Sequence, residues 1–243
     1  MPDFRSPGHL PNLRTGRQPP PPDWLPRQRR GITPQMIGRY PDQDVLEDAP
    51  NWDAATRAVV EARLHLGQQL NFFSESEEPT LRAFCDVVVF QDAEPRVPVA
   101  AMVDQKLAQG KLDGYQYADM PDDRDTWRLV LRGLDEVAVR EYGRPSFADL
   151  EWEAAEGVVG QMAQGLLGGG SWDQVNVKRA WSVCSRMVLA AFYSHPWAWN
   201  EIGFGGPAYP RGYMRLGPLA VREPREAPAA LDRDPVHQTP DQP

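Results

Sequence analysis

The chain has 243 residues, 41% of them hydrophobic, and a formal net charge of −8, which is enough apolar material for one good-sized core and too little positive charge for a nucleic-acid footprint. No stretch approaches the ~20 apolar residues of a membrane-spanning helix, and no apolar run follows the N-terminus as an export signal requires. Arg29-Arg30 precedes Gly31, Thr33, Pro34 and Gln35 rather than the apolar run of a twin-arginine signal, so the cytoplasm is the expected location, with the periplasm reached only alongside a signal-bearing partner.

Prolines divide the chain. Eleven of the 25 lie in residues 1–50 and six in 218–243, so the expected organisation is an extended N-terminal arm over 1–50, a helical domain over 51–217 and a flexible Pro-rich tail over 218–243. The arm alternates arginine with proline and resists collapse. It also carries Trp24, Leu25, Ile32, Met36, Ile37 and Tyr40, apolar side chains that need somewhere to bury, which makes Trp24 and Tyr40 candidates for contact with a partner.

Helical periodicity begins at Trp52. Trp52, Ala55, Val59, Ala62 and Leu66 recur at three- and four-residue steps behind Asn51 and Asp53 as capping residues, with Gly67 as the stop. Leu81, Phe84, Cys85 and Val88 make a second stripe after Pro79, although Val87-Val88-Val89 would also suit a strand. Pro98 opens a third helix with Val99, Met102, Val103 and Leu107 inward and Gly110 closing it. A fourth, from Pro121 to Tyr142, sets Trp127, Val130, Leu131, Leu134, Val137, Ala138 and Tyr142 on one side and ends at Gly143. Ser146 with Asp149 suggests a shortened capping box for a fifth helix carrying Phe147, Leu150, Ala154, Val158, Met162 and Leu166 and stopped by Gly168-Gly169-Gly170. A sixth runs from Asp173 through Val177, Trp181, Cys184, Val188 and Ala191 to Ser194, where Pro196 prevents its continuation. The expected class is therefore mostly α, a single domain of about six helices with two extended arms. Cys85 and Cys184, the only cysteines, sit on apolar helical faces and are expected as small buried thiols, with a disulfide between them left open.

The segment from His195 to Pro218 reads differently. Its five glycines, four prolines and five aromatics suit neither a helix nor a long strand, yet the rings are too large to leave exposed without reason. An ordered irregular loop is expected. Trp197, Trp199, Phe204, Tyr209, Arg211 and Tyr213 are the residue types that dominate interface hot spots, which makes them candidate partner-binding residues. An intramolecular wrap over the chain's own helices would bury the same rings equally well. Gly203 to Ala208 formally satisfies a dinucleotide fingerprint, but no strand precedes it and Pro207 and Pro210 block the helix that should hold the pyrophosphate.

Catalytic constellations are sparse. His9, His65, His195 and His237 are scattered and assemble no metal set, so neither a metal nor a cofactor is expected in this chain. His195 with Glu201 is the one acid/base pairing worth testing, and a helix C-terminal cap is the competing role for the imidazole.

The chain resembles the gluconate 2-dehydrogenase subunit 3 family in the run Ala198-Trp199-Asn200-Glu201-Ile202-Gly203-Phe204-Gly205-Gly206-Pro207-Ala208-Tyr209-Pro210-Arg211-Gly212-Tyr213, preceded by Tyr193-Ser194-His195-Pro196. Supporting stretches are Pro98 to Ala101, Asp135 to Gly143 and Phe147 to Leu150, and the resemblance extends over residues 50–216. It implies a small, cofactor-free helical subunit that binds and stabilises a flavoprotein large subunit of the glucose-methanol-choline class carrying FAD, in many members with a cytochrome c as a third subunit. Many relatives begin with a twin-arginine signal, a feature in which this chain departs. A stand-alone enzyme using His195 and Glu201 and a generic helical adaptor are the competing readings.

Overall fold

Asp53 turns its carboxylate back to accept the Thr56 backbone N–H at 2.9 Å, satisfying one of the donors that every helix start leaves open. With it begins the first helix, α1 (Ala54–Leu64). The computed structural model describes residues 44–67, 69–92, 96–111, 114 and 116–207, and among these the regular structure is helical without a strand. After α1 follow α2 (Glu78–Val89), α3 (Val99–Ala108), α4 (Asp123–Tyr142), α5 (Trp152–Gln164), α6 (Val177–Phe192) and α7 (Pro196–Ile202), with 3-10 turns at Val45–Asn51, Phe147–Asp149 and Gly170–Gln174. Two compact units result, one of residues 1–65 with 193–243 and one of 66–192, so the described part of the helical segment expected over 51–217 is shared between them.

The larger unit packs α2 to α6 around Trp127, Phe84 and Leu81, all without exposure. The Trp127 ring meets Phe84 and Phe73 edge-on, with centroids 5.9 and 6.1 Å away, the geometry that aromatic quadrupoles favour. Cys85 and Cys184 lie fully buried here as free thiols, and burial pushes both well above the usual thiol range. Gly133 on α4 is needed for its lack of a side chain, since a Cβ there would meet the Trp172 indole at 2.6 Å. Trp172 closes the approach by donating Nε1–H to the Gly133 carbonyl at 3.0 Å.

Short helices leave many backbone groups without partners, and carboxylates on α3 and α4 take them. Asp104 on α3 accepts from the backbone N–H groups of Asn71, Phe72 and Phe73 at 2.6 to 2.9 Å. Asp135 on α4 accepts from the Thr80 hydroxyl at 2.6 Å, the Ser146 hydroxyl at 3.1 Å and the Phe147 N–H at 2.8 Å. Glu136 accepts from both the N–H and the hydroxyl of Ser171 at 2.8 Å.

The structure corrects the expected helices in several places, and Tyr142 of the α4 stripe is exposed. The inward face of α1 is Val60 with Leu64 beside it, while Ala55, Val59 and Ala62 look outward and Val59 is 54% exposed. Ser146 caps only a 3-10 turn, because Leu150 and Glu151 adopt extended backbone and restart the helix at Trp152. Gly165 in the left-handed region, not the Gly168 triplet, ends α5, which leaves Leu166 exposed and buries Leu167. Asp173 belongs to a 3-10 turn and α6 starts at Val177. The end of the expected arm, Val45–Asn51, forms a 3-10 turn with Val45, Leu46 and Ala49 buried.

Asp104 offers the clearest test of this packing. Asp104→Ala strands three donors in and beside the core, so urea unfolding should show a loss of about 4 kcal/mol, and Asp104→Asn, which retains one acceptor oxygen, about half of that. A loss below about 1 kcal/mol for the alanine variant would show that these donors find other partners.

Candidate functional site

The described residues among those singled out by sequence lie in the smaller unit, where the aromatic segment begins as a helix. The seven residues from Pro196 to Ile202 contain no glycine, and Pro196 sits in the first turn, where its missing N–H costs nothing. His195 caps them: its Nδ1 accepts the Trp197 backbone N–H at 3.3 Å. Gly203, at φ 68°, ends the helix in the left-handed region that glycine tolerates. The irregular loop expected from His195 onward therefore starts only at Gly203, because the loop-forming composition belongs to the glycines and prolines beyond it. Gly203 closes a helix where a dinucleotide fingerprint would open one.

Side chains from both ends of the chain hold this helix in its unit. The Val45 N–H donates to Asn200 Oδ1 at 2.8 Å, and Arg63 donates to the Ser194 carbonyl at 2.7 Å while its guanidinium lies 5.7 Å from the Trp199 ring centroid. Trp199 is 6% exposed, gives its Nε1–H to the Tyr193 carbonyl at 2.7 Å, and joins Val45, Leu46, Ala49, Trp52 and Val60 in one apolar cluster.

Of the candidate partner-binding residues, Trp197 is half-buried and edge-on to the His195 ring at 5.0 Å. Trp199 is spent within its own unit. Phe204 stands against Trp199 at 5.6 Å yet is 40% exposed. Trp24, Tyr40, Tyr209, Arg211 and Tyr213 lie outside the described residues.

His195 and Glu201 are both buried but are six positions apart along the helix, roughly 9 Å along its axis and about 120° apart around it. The imidazole pKa is lowered to about 4, first by burial and then by the positive charge of Arg63, against a hydrogen bond with the Arg63 backbone that works the other way. The ring is thus neutral at pH 7 with Nδ1 occupied as a cap. Among the described residues no group of three or more metal-ligating side chains forms, and no helix is long and apolar enough to cross a membrane.

Sequence reasoning missed an apolar recess of about 470 Å3 on this unit. Ala55, Val59 and Val60 of α1 line one side and Trp199, Phe204 and Pro207 another, with Thr56 and Arg63 the polar side chains at its walls. The signal was the four-residue spacing of Ala55, Val59 and Arg63, which marks a face of α1 but not whether that face looks inward.

The family described as gluconate 2-dehydrogenase subunit 3 matches residues 75–206, a narrower span than the 50–216 of the resemblance read from sequence. No curated protein and no solved structure matches the chain.

The buried cap has a measurable signature. Between about pH 6.5 and pH 4 the unfolded imidazole takes up a proton that the folded one refuses, so stability should fall as pH falls through that window, by up to about 3 kcal/mol. His195→Asn, which keeps a capping side chain without a titrating one, should flatten that part of the denaturation-versus-pH curve. An unchanged slope in the variant would mean the imidazole is protonated in the fold.

Proposed function

This chain belongs to the gluconate 2-dehydrogenase subunit 3 family, and on that footing we propose that it is the non-catalytic small subunit of an FAD-dependent sugar or alcohol dehydrogenase, binding and stabilising a large subunit of the glucose-methanol-choline class. The observation that carries this reading is the family match, which covers α2 to α7 and runs through the aromatic segment to Gly206. In this reading FAD resides in the large subunit and the present chain contributes no cofactor. Its mechanism is mass action: a partner that binds only the folded state stabilises it by RT ln(1 + [L]/Kd).

The state of His195 favours a subunit over a stand-alone enzyme. A general base must reach the proton it abstracts and hold a pKa near the working pH, whereas this imidazole caps α7 from a buried position and is shifted to about 4. Exposed apolar side chains on the same unit favour a binding role: Ile202 is 47% exposed and Phe204 40%, and single large rings at a surface are frequent interface anchors. The partner surface in this reading starts at Phe204 and Trp197 and continues through Arg211 and Tyr213, with Trp24 and Tyr40 from the N-terminal side.

Two substitutions separate a partner contact from an internal one. Phe204→Ala should raise the Kd for the flavoprotein about thirtyfold, equivalent to ~2 kcal/mol, while lowering the subunit's own stability by about 1 kcal/mol. Trp199→Ala should do the reverse, costing the free subunit about 3 kcal/mol or more. Titration calorimetry alongside thermal melts reads both, and an unchanged Kd for Phe204→Ala would remove that ring from the partner surface.

A further inference from the structure

Arg63, near the end of α1, is a half-buried cation with no carboxylate partner among the described residues. Its guanidinium gives one N–H to the Ser194 carbonyl at 2.7 Å and lies 5.7 Å from the Trp199 ring centroid. Those two contacts fix its position, while the other donors of its planar fork have no acceptor among the described residues. Burial lowers its pKa from the usual guanidinium range, and no acidic neighbour works against that shift. This cation stands in the wall of the apolar recess of about 470 Å3. The other polar wall, Thr56, is committed to the Asp53 carboxylate at the start of α1, so Arg63 is the charged group among the lining residues.

We propose that the recess takes a segment of the flavoprotein large subunit that combines apolar side chains with an Asp or Glu, the apolar groups covering the walls and the carboxylate pairing with Arg63. This deepens the subunit reading above and rests on it. The space admits more than one side chain, since pockets of roughly 300–1,000 Å3 hold whole drug-sized ligands. Val59 at 54% and Phe204 at 40% exposure are walls that gain by being covered. Covering them also takes water from Arg63, and an occupant that is apolar throughout would leave that charge buried and uncompensated. A carboxylate offsets this loss with charge-assisted hydrogen bonds to the open side of the fork. Because Ser194 and Trp199 already hold the guanidinium in place, little side-chain freedom is lost in forming the pair. An acidic segment otherwise meets a chain of net charge −8, so a cation set in an apolar wall fixes where on the subunit it docks.

Val59 lies one helical turn before Arg63, so the pairing can be competed for from within the chain. Val59→Glu places a carboxylate in the favoured i,i+4 orientation to Arg63, and Val59→Gln matches it in size without the charge. Val59 is exposed, so both variants should fold, which circular dichroism verifies. In the full-length chain Val59→Gln should raise the Kd for the flavoprotein about threefold and Val59→Glu about thirtyfold. Equal Kd values for the two variants would overturn the carboxylate pairing, and values unchanged from the natural chain would overturn the recess as a docking site. A natural chain with no affinity for the large subunit would instead sink the subunit reading itself, and this inference with it. A second measurement locates the acid. Arg63→Lys places an amine that a carbodiimide couples to an adjacent carboxylate, and the natural lysines, Lys106, Lys111 and Lys178, all belong to the larger unit. A link from position 63 to an Asp or Glu of the large subunit is expected in the complex. A link to an acid of this chain would overturn the proposal by giving Arg63 a partner of its own.

Discussion

The fold depends on one constraint: short helices expose more backbone donors and acceptors than their own ladders can satisfy. Here polar side chains meet that need. Asp104, Asp135 and Glu136 gather loop N–H groups and hydroxyls in the larger unit, and His195, Asn200 and Arg63 do the same around α7 in the smaller one. Arg57 belongs to the same set, donating to the Ala49 carbonyl from both Nε and Nη2 at 3.2 and 2.8 Å. Apolar burial supplies the drive to collapse, but these bonds select which loop lies against which helix, since a stranded buried donor costs more than the bond itself contributes.

That constraint also accounts for the chemistry of the aromatic segment. A histidine next to a helix start and six residues from a buried glutamate can be read as an acid/base pair from sequence. In the fold its Nδ1 is committed to the Trp197 N–H, and burial lowers its pKa to about 4. In the proposed reading, such side chains hold structure and present surface.

Much of the larger unit was legible. The α4 stripe of Trp127, Val130, Leu131, Leu134, Val137 and Ala138 is buried as its period required, with Gly143 as terminator; only Tyr142 turned outward. Period alone failed at α1, where Ala55-Val59 and Val60-Leu64 are parallel apolar rows one residue apart and nothing local decides which faces inward. Composition failed at α7, because averaging His195 to Pro218 let the glycines beyond Ile202 obscure a glycine-free helical turn behind Pro196. Side-chain-to-backbone bonds across long sequence separations, such as Val45 to Asn200, leave no periodic trace, so the recess they help build was not visible in the sequence.

The central claim is that this chain works by holding a flavoprotein. Affinity purification of the tagged, full-length chain from cells that also express its candidate large subunit, followed by a visible absorption spectrum, addresses it directly. The account expects a stable complex showing flavin absorption in proportion to the large subunit, and substrate-dependent bleaching only when that subunit is present. A chain that purifies alone and colourless under those conditions, or that turns over a sugar or alcohol by itself, would contradict it.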